Sequence, residues 1–145
     1  MIYIGYSLFL YKDNRSKYLN EQEEYLNIVK QKFPGEEYLL PYSRQTRSEI
    51  AEKLKCDISE ITGTFLKDLK PIISRCKKMV LFPTRENYIG LGMYWEILMA
   101  QKYSLEILMY NKEIKDFTSL FEMCDINNNI YGDEGHIFYK KIKFG

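Results

Sequence analysis

Glu96 stands just after the glycine-bearing run Gly90-Leu91-Gly92-Met93. A carboxylate in a cleft can act as a general acid or base, or as a nucleophile that forms a covalent intermediate. The glycines admit close approach of the backbone to a ligand, and a helix that starts there offers free N–H groups to an anion. Periodicity by itself makes Glu96 a solvated helix residue; it faces a cleft if its apolar neighbours face a sheet. Other chemistry has little material. There is one histidine, His136, and it precedes an alternating segment, which suggests a structural role. The three cysteines, Cys56, Cys76 and Cys124, are far apart with no CxxC spacing. An odd count argues against a disulfide framework, and neither a metal site nor a cofactor is expected. The natural reading is free thiols in a reducing cytoplasm. The Asp- and Asn-rich stretch 125–133 lacks the spacing and terminal Glu of a calcium loop. Lys140-Lys141-Ile142-Lys143 reads as a solvated basic tail.

The elements that must position Glu96 follow from the hydrophobic pattern. Ile2–Leu8 is a short apolar run and a good first strand of a parallel sheet. Ser16–Phe33 carries Tyr18, Tyr25, Ile28, Val29 and Phe33 among charges, an amphipathic helix stopped by Pro34-Gly35. Glu37–Pro41 is a short second strand. Thr46–Leu54 is helical, with Glu49 in capping-box spacing from Thr46. A further helix runs over Ser59–Arg75, weakened at Gly63 and kinked or split at Pro71. Lys78–Pro83 is the next strand, followed by a turn with Asn87 and Gly90 and a helix over Gly92–Lys102. Leu105–Tyr110 is another buried strand. Asp116–Met123 is expected to be a helix, Asp125–Gly135 a surface loop and His136–Phe144 a last strand. Strands alternating with helices predict a single α/β domain over 1–145. Its expected core is an open, parallel, five-stranded sheet with helices on both faces, of the flavodoxin-like or Rossmann-like kind. Such sheets bind ligands beyond the carboxyl ends of their strands.

Bulk properties set outer limits. At 145 residues, with 46% apolar and 28% charged residues, the chain suits one folded domain. A formal net charge of +1 argues against bulk electrostatic binding to nucleic acid or to an anionic membrane. The apolar start Met1–Leu10 is too short for a membrane span and lacks the basic leader of a signal peptide, so a cytoplasmic protein is expected. The 13 tyrosines suit a pocket for a base and a sugar, since a Tyr ring packs while its hydroxyl hydrogen-bonds.

The run Met79–Pro83, the loop after it and the step Gly92-Met93-Tyr94-Trp95-Glu96-Ile97, with Ala100 further on, resemble the nucleoside 2-deoxyribosyltransferase superfamily, including its nucleotide N-glycosidase and hydrolase branches. That family has a strand, a loop, a Gly-x-x-x-Glu step and a continuing helix. Ile2-Tyr3-Ile4-Gly5 is similar to its first strand, where a Tyr partners the catalytic carboxylate. Asp68-Leu69 lies where the family often carries a substrate-binding Asp. The resemblance spans about residues 1–112. It implies that Glu96 is the nucleophile attacking C1′ of a nucleoside or nucleotide, with transfer of the sugar to another base or to water. It implies that Tyr3 orients Glu96, and that Asp68 holds the base or helps to protonate it. No metal or cofactor is needed. A homodimer or higher homo-oligomer is implied as well, since the family often completes its pocket from a neighbouring subunit.

One departure bears on the substrate. Family members that take free nucleosides often place an Asp six residues before the nucleophile; here that position is Gly90, with Asn87 and Tyr88 the nearest polar residues. An Asp beside a phosphate would cost on the order of several kcal/mol at an intermediate dielectric. Its absence points to a 5′-phosphorylated or otherwise anionic ligand. Ser7, Gly90 and Gly92 would then line the phosphate, with Arg44, Arg47 or Arg85 as its charge partner, and Gly5 and Asn87 are further candidate substrate-binding residues. The alternative on the same fold is a non-catalytic module that binds or sequesters a nucleotide-derived, ADP-ribose-like ligand.

Overall fold

The computed structural model describes residues 1–6, 15–40, 46–83, 87–120, 124–131 and 138–144. It is an α/β fold with an open, mostly parallel five-stranded sheet, consistent with a Rossmann-like architecture. The strands of this sheet are β1 (Ile2–Tyr6), β2 (Tyr38–Leu39), β3 (Lys78–Phe82), β5 (Glu106–Asn111) and β6 (Asp116–Ser119), in the order β2-β1-β3-β5-β6. The helices are α1 (Arg15–Lys32), α2 (Arg47–Leu54), α3 (Phe65–Ile73) and α4 (Leu91–Lys102). A second sheet, in the order β4-β8-β7, joins β4 (Tyr88–Gly90) to a hairpin of β7 (Cys124–Tyr131) and β8 (Phe138–Phe144).

Strand alternation sorts the core into two clusters. Ile2 and Ile4 of β1 and Val80 and Phe82 of β3 bury against Tyr25 and Val29 of α1. Tyr3, Met79 and Leu81, of opposite parity on those strands, bury with Ile107 and Met109 of β5 and with residues of α2, α3 and α4. A period of two sends neighbouring side chains to opposite faces, so near-continuous apolar strands serve both clusters.

Local chemistry sets the helix boundaries. Thr46 caps α2 by accepting a hydrogen bond from the Glu49 N–H (3.2 Å), and Lys55 ends it in the left-handed region at φ 55°. The predicted helix 59–75 is broken into a 3-10 turn at Ile58–Glu60 and α3. The break falls at Gly63, whose φ of +83° is left-handed and favours glycine. Pro71 is carried inside α3 rather than splitting it.

Three expectations are corrected. The helix expected over Asp116–Met123 does not hold over 116–119, which form β6, antiparallel to β5. The connection from Asn111 to Asp116 is a tight turn, with Lys115 at φ 52° and the Asn111 side chain accepting from the Glu113 N–H (3.1 Å). A connection that short permits a hairpin and no parallel crossover. The five-stranded sheet is therefore parallel over β2-β1-β3-β5 and antiparallel at β6. Within the expected loop 125–135, residues up to Tyr131 belong to β7, paired along β8 with an irregularity between Asn127 and Asn129. Asn and Asp have poor strand propensity, and cross-strand pairing overrides it here.

Candidate active site

The site is built where the chain reverses direction across the sheet. From β1 the chain goes out to β2, and from β3 it goes the other way to β5. The carboxyl ends of β1 and β3 are thus the switch point, the place where open α/β sheets take ligands. Gly5 and Leu81 pair there, each one residue from the end of its strand.

Tyr3 and Gly5 share a face of β1 because they are two residues apart. Tyr3 is buried at 1% exposure. Gly5 leaves an opening on that face, and the Glu96 carboxylate occupies its edge. A Cβ at Gly5 would lie 3.1 Å from Glu96 Oε2, 3.5 Å from Tyr3 Cε1 and 2.7 Å from Leu81 Cδ2. The absence of a side chain at position 5 is therefore what gives the carboxylate its seat. The Tyr3 hydroxyl donates a hydrogen bond to Glu96. Tyr3, Gly5 and Glu96 are thus brought together.

Glu96 reaches this point because α4 buries Met93, Glu96, Ile97 and Ala100, a stripe with i, i+3, i+4, i+7 spacing. It is not the solvated helix residue that periodicity by itself favours. Burial raises its pKa to about 8, against a smaller opposing effect of the Tyr3 hydrogen bond, which favours the ionised form. By that value roughly a tenth of the carboxyl is ionised at neutral pH. The group is poised to exchange a proton near neutrality, and its ionised fraction is the nucleophilic one.

Gly90 is the N-cap of α4 and supplies no side-chain cap. The amides of the first helical turn, which includes the exposed Gly92, have no acceptor within the helix. Asn87 holds a left-handed φ of 64°, and its carbonyl accepts a hydrogen bond from the Ile142 N–H (2.7 Å), so its backbone serves to dock β8.

Asp68 is fully buried, but its carboxylate is directed at the loop before α3. Oδ1 accepts from the N–H and the hydroxyl of Thr62, and Oδ2 accepts from the Gly63 N–H, each at 2.8 Å. It clamps the glycine break. Arg47 is likewise occupied, with Nε donating to the Ile61 carbonyl and Nη2 to that of Ile58 (3.2 Å). It ties the start of α2 to the 3-10 turn. Ser7, Arg44, Arg85 and His136 lie outside the described residues.

Sequence reasoning gave Gly5 a place beside the ligand; its role as the seat of Glu96 follows from period two on β1. Ile142, expected in a solvated basic tail, is instead buried in β8 at 1% exposure. Its alternation with neighbouring lysines marked a strand, but nothing in that pattern said which strand it joins.

Among the described residues, no group of three or more His, Cys, Asp and Glu side chains is placed to hold a metal ion. No helix among them is long and apolar enough to cross a membrane. Compared with known proteins, the chain matches no family model, no curated protein and no solved structure.

Proposed function

We propose that the chain cleaves the N-glycosidic bond of a (deoxy)nucleoside or nucleoside 5′-phosphate, with Glu96 as nucleophile. The observation that supports this reading is the Tyr3 hydrogen bond to a buried Glu96 carboxylate seated over Gly5 at the switch point. In the first step the ionised carboxylate attacks C1′, and the C1′–N electron pair leaves with the base. In the second, another base or water attacks C1′ and releases Glu96. Tyr3 favours the ionised form and fixes its direction. The open first turn of α4, with Gly90 in place of an acidic residue, suits a 5′-phosphate. Two clusters of opposite strand parity support the finer fold reading, a flavodoxin-like sheet with α1 on one face and α2–α4 on the other.

The test is incubation with a panel of nucleosides and nucleoside 5′-monophosphates, with released base read by chromatography. Base release is expected, and Glu96→Ala is expected to abolish it. Activity that survives Glu96→Ala unchanged sinks the assigned nucleophile.

The largely protonated state of Glu96 at neutral pH favours a second reading, a module that binds a nucleotide-derived ligand without turnover. A neutral carboxyl is a poor nucleophile and a good hydrogen-bonding group. Calorimetry with ADP-ribose, followed by recovery of the intact ligand, would support it; recovery of cleaved ligand would exclude it.

A homo-oligomer belongs to the same proposal. α4 is apolar on its outer side too, where Leu91, Trp95 and Leu98 are exposed at 43%, 39% and 46%. Trp95, Leu98 and Met99 border a groove with Leu66 and Leu69 of α3. A helix apolar all round is usually covered, and sedimentation equilibrium would show whether a second copy covers this one. A monomer at all concentrations removes the oligomer from the reading.

A further inference from the structure

The helix that carries Glu96 is fastened at its start to the C-terminal hairpin. β8 lies antiparallel to β4, with Tyr88 opposite Lys141, Ile89 opposite Lys140 and Gly90 opposite Tyr139. The Ile142 N–H extends this ladder to the Asn87 carbonyl at 2.7 Å. Gly90 closes β4 and is at once the N-cap of α4, so no linker separates the paired strand from the helix. A displacement of β8 therefore passes to the first turn of α4 without a hinge to absorb it. Glu96 lies in that helix, one turn beyond Met93.

Packing makes the same connection. Ile142 is 1% exposed and belongs to the buried cluster that holds Tyr3, Ile89, Met93 and Ile97. Three of those residues neighbour Glu96: Met93 and Ile97 share its helix face, and Tyr3 bonds to its carboxyl. β8 touches α4 directly as well as through β4. Ile142 thus packs in the same buried cluster as the residues around Glu96, although it is far from Glu96 in the chain.

We propose that the β7–β8 hairpin is a positioning element for Glu96, and that Ile142 is its anchor. Docking of β8 on β4 fixes the start of α4 and dries the face on which the carboxyl lies. The hairpin and the site are then coupled in both directions: what loosens β8 hydrates Glu96, and a ligand that needs a dry, fixed carboxyl holds β8 in place. This deepens the reading of Glu96 as the functional carboxyl and rests on it.

The test needs no substrate, so its failure is distinguishable from failure of the glycosidase reading, which the base-release assay decides separately. The Glu96 carboxyl is titrated by carbon NMR in the full-length wild type, in Ile142→Val and in Ile142→Ala. Among the described residues Tyr3 of β1 is the titratable group acting on Glu96, and Ile142 carries no charge, so the substitutions change hydration rather than charge. The midpoint is expected to fall from about 8 towards the ordinary 4.5, further for Ala than for Val. Ile142→Val removes one methyl group and keeps the test available if Ile142→Ala does not fold. A midpoint that stays at the wild-type value in the folded variants overturns the proposal.

Discussion

Replacing Glu96 by Gln should change how stability depends on pH, and the size of the change follows from burial. The carboxyl titrates at about 8 in the folded chain against an ordinary 4.5. Below the lower value it is protonated in both folded and unfolded chains, and its contribution is fully present. Between the two values the folded chain keeps a proton that the unfolded chain has given up. Stability therefore falls as pH rises, by about 1.4 kcal/mol per pH unit, until the folded carboxyl ionises. The difference of 8 − 4.5 = 3.5 units corresponds to about 5 kcal/mol at most. Water entry and relaxation reduce such penalties, so about 2–5 kcal/mol is the expected range. Gln has the shape of the neutral carboxyl and can still accept from Tyr3, but it cannot ionise. The assay is urea unfolding of the wild type and Glu96→Gln from about pH 5 to about pH 9, read as the difference between the two proteins. Titration of other groups cancels in that difference. Glu96→Gln should be close to the wild type at the acid end and more stable by about 2–5 kcal/mol at the alkaline end. Parallel stability curves across the range would refute the argument that Glu96 is buried and neutral.

Three further outcomes are expected. Tyr3→Phe removes a hydrogen bond that favours the ionised carboxylate, so the Glu96 midpoint should rise above about 8 in a carbon NMR titration; a fall would mean that Tyr3 does not act as a donor to it. Gly5→Ala places a methyl group 2.7 Å from Leu81 Cδ2 and 3.1 Å from Glu96 Oε2 in a packed core. Overpacking there should cost about 1–3 kcal/mol in urea unfolding and shift the Glu96 titration, and a variant unchanged in both would show that the seat is not tight. Asp68→Ala removes the acceptor for the Thr62 and Gly63 N–H groups and should cost about 2–5 kcal/mol. An Asp68→Ala variant as stable as the wild type would remove the clamp.

Much of this architecture is legible in the residues. β1, β3 and β5 are continuous apolar runs, α1 ends at Pro34-Gly35, and Thr46 with Glu49 marks the start of α2. Those signals are local: a run, a stop, a cap. The step from Gly92 to Glu96 is a local signal of the same kind. The strands β6, paired with β5, and β7, paired with β8, are not legible there, because Phe117 and Leu120 have helical spacing and 125–129 is rich in Asp and Asn.

The sequence by itself determined which segments are strands and helices at the centre of the fold, and that a glutamate follows a glycine turn at a strand's carboxyl end. Only the tertiary structure decided what that glutamate is. On an isolated helix Glu96 is one carboxylate among many; beside Gly5 and bonded to Tyr3 it is buried and close to neutral. The same holds for Asp68 and Arg47, whose types suit a ligand but whose hydrogen bonds close a loop. Propensity and capping act between residues a few positions apart, and these are read along the chain. Desolvation and hydrogen-bond partnership depend on which distant segments meet, and that is settled when the sheet assembles.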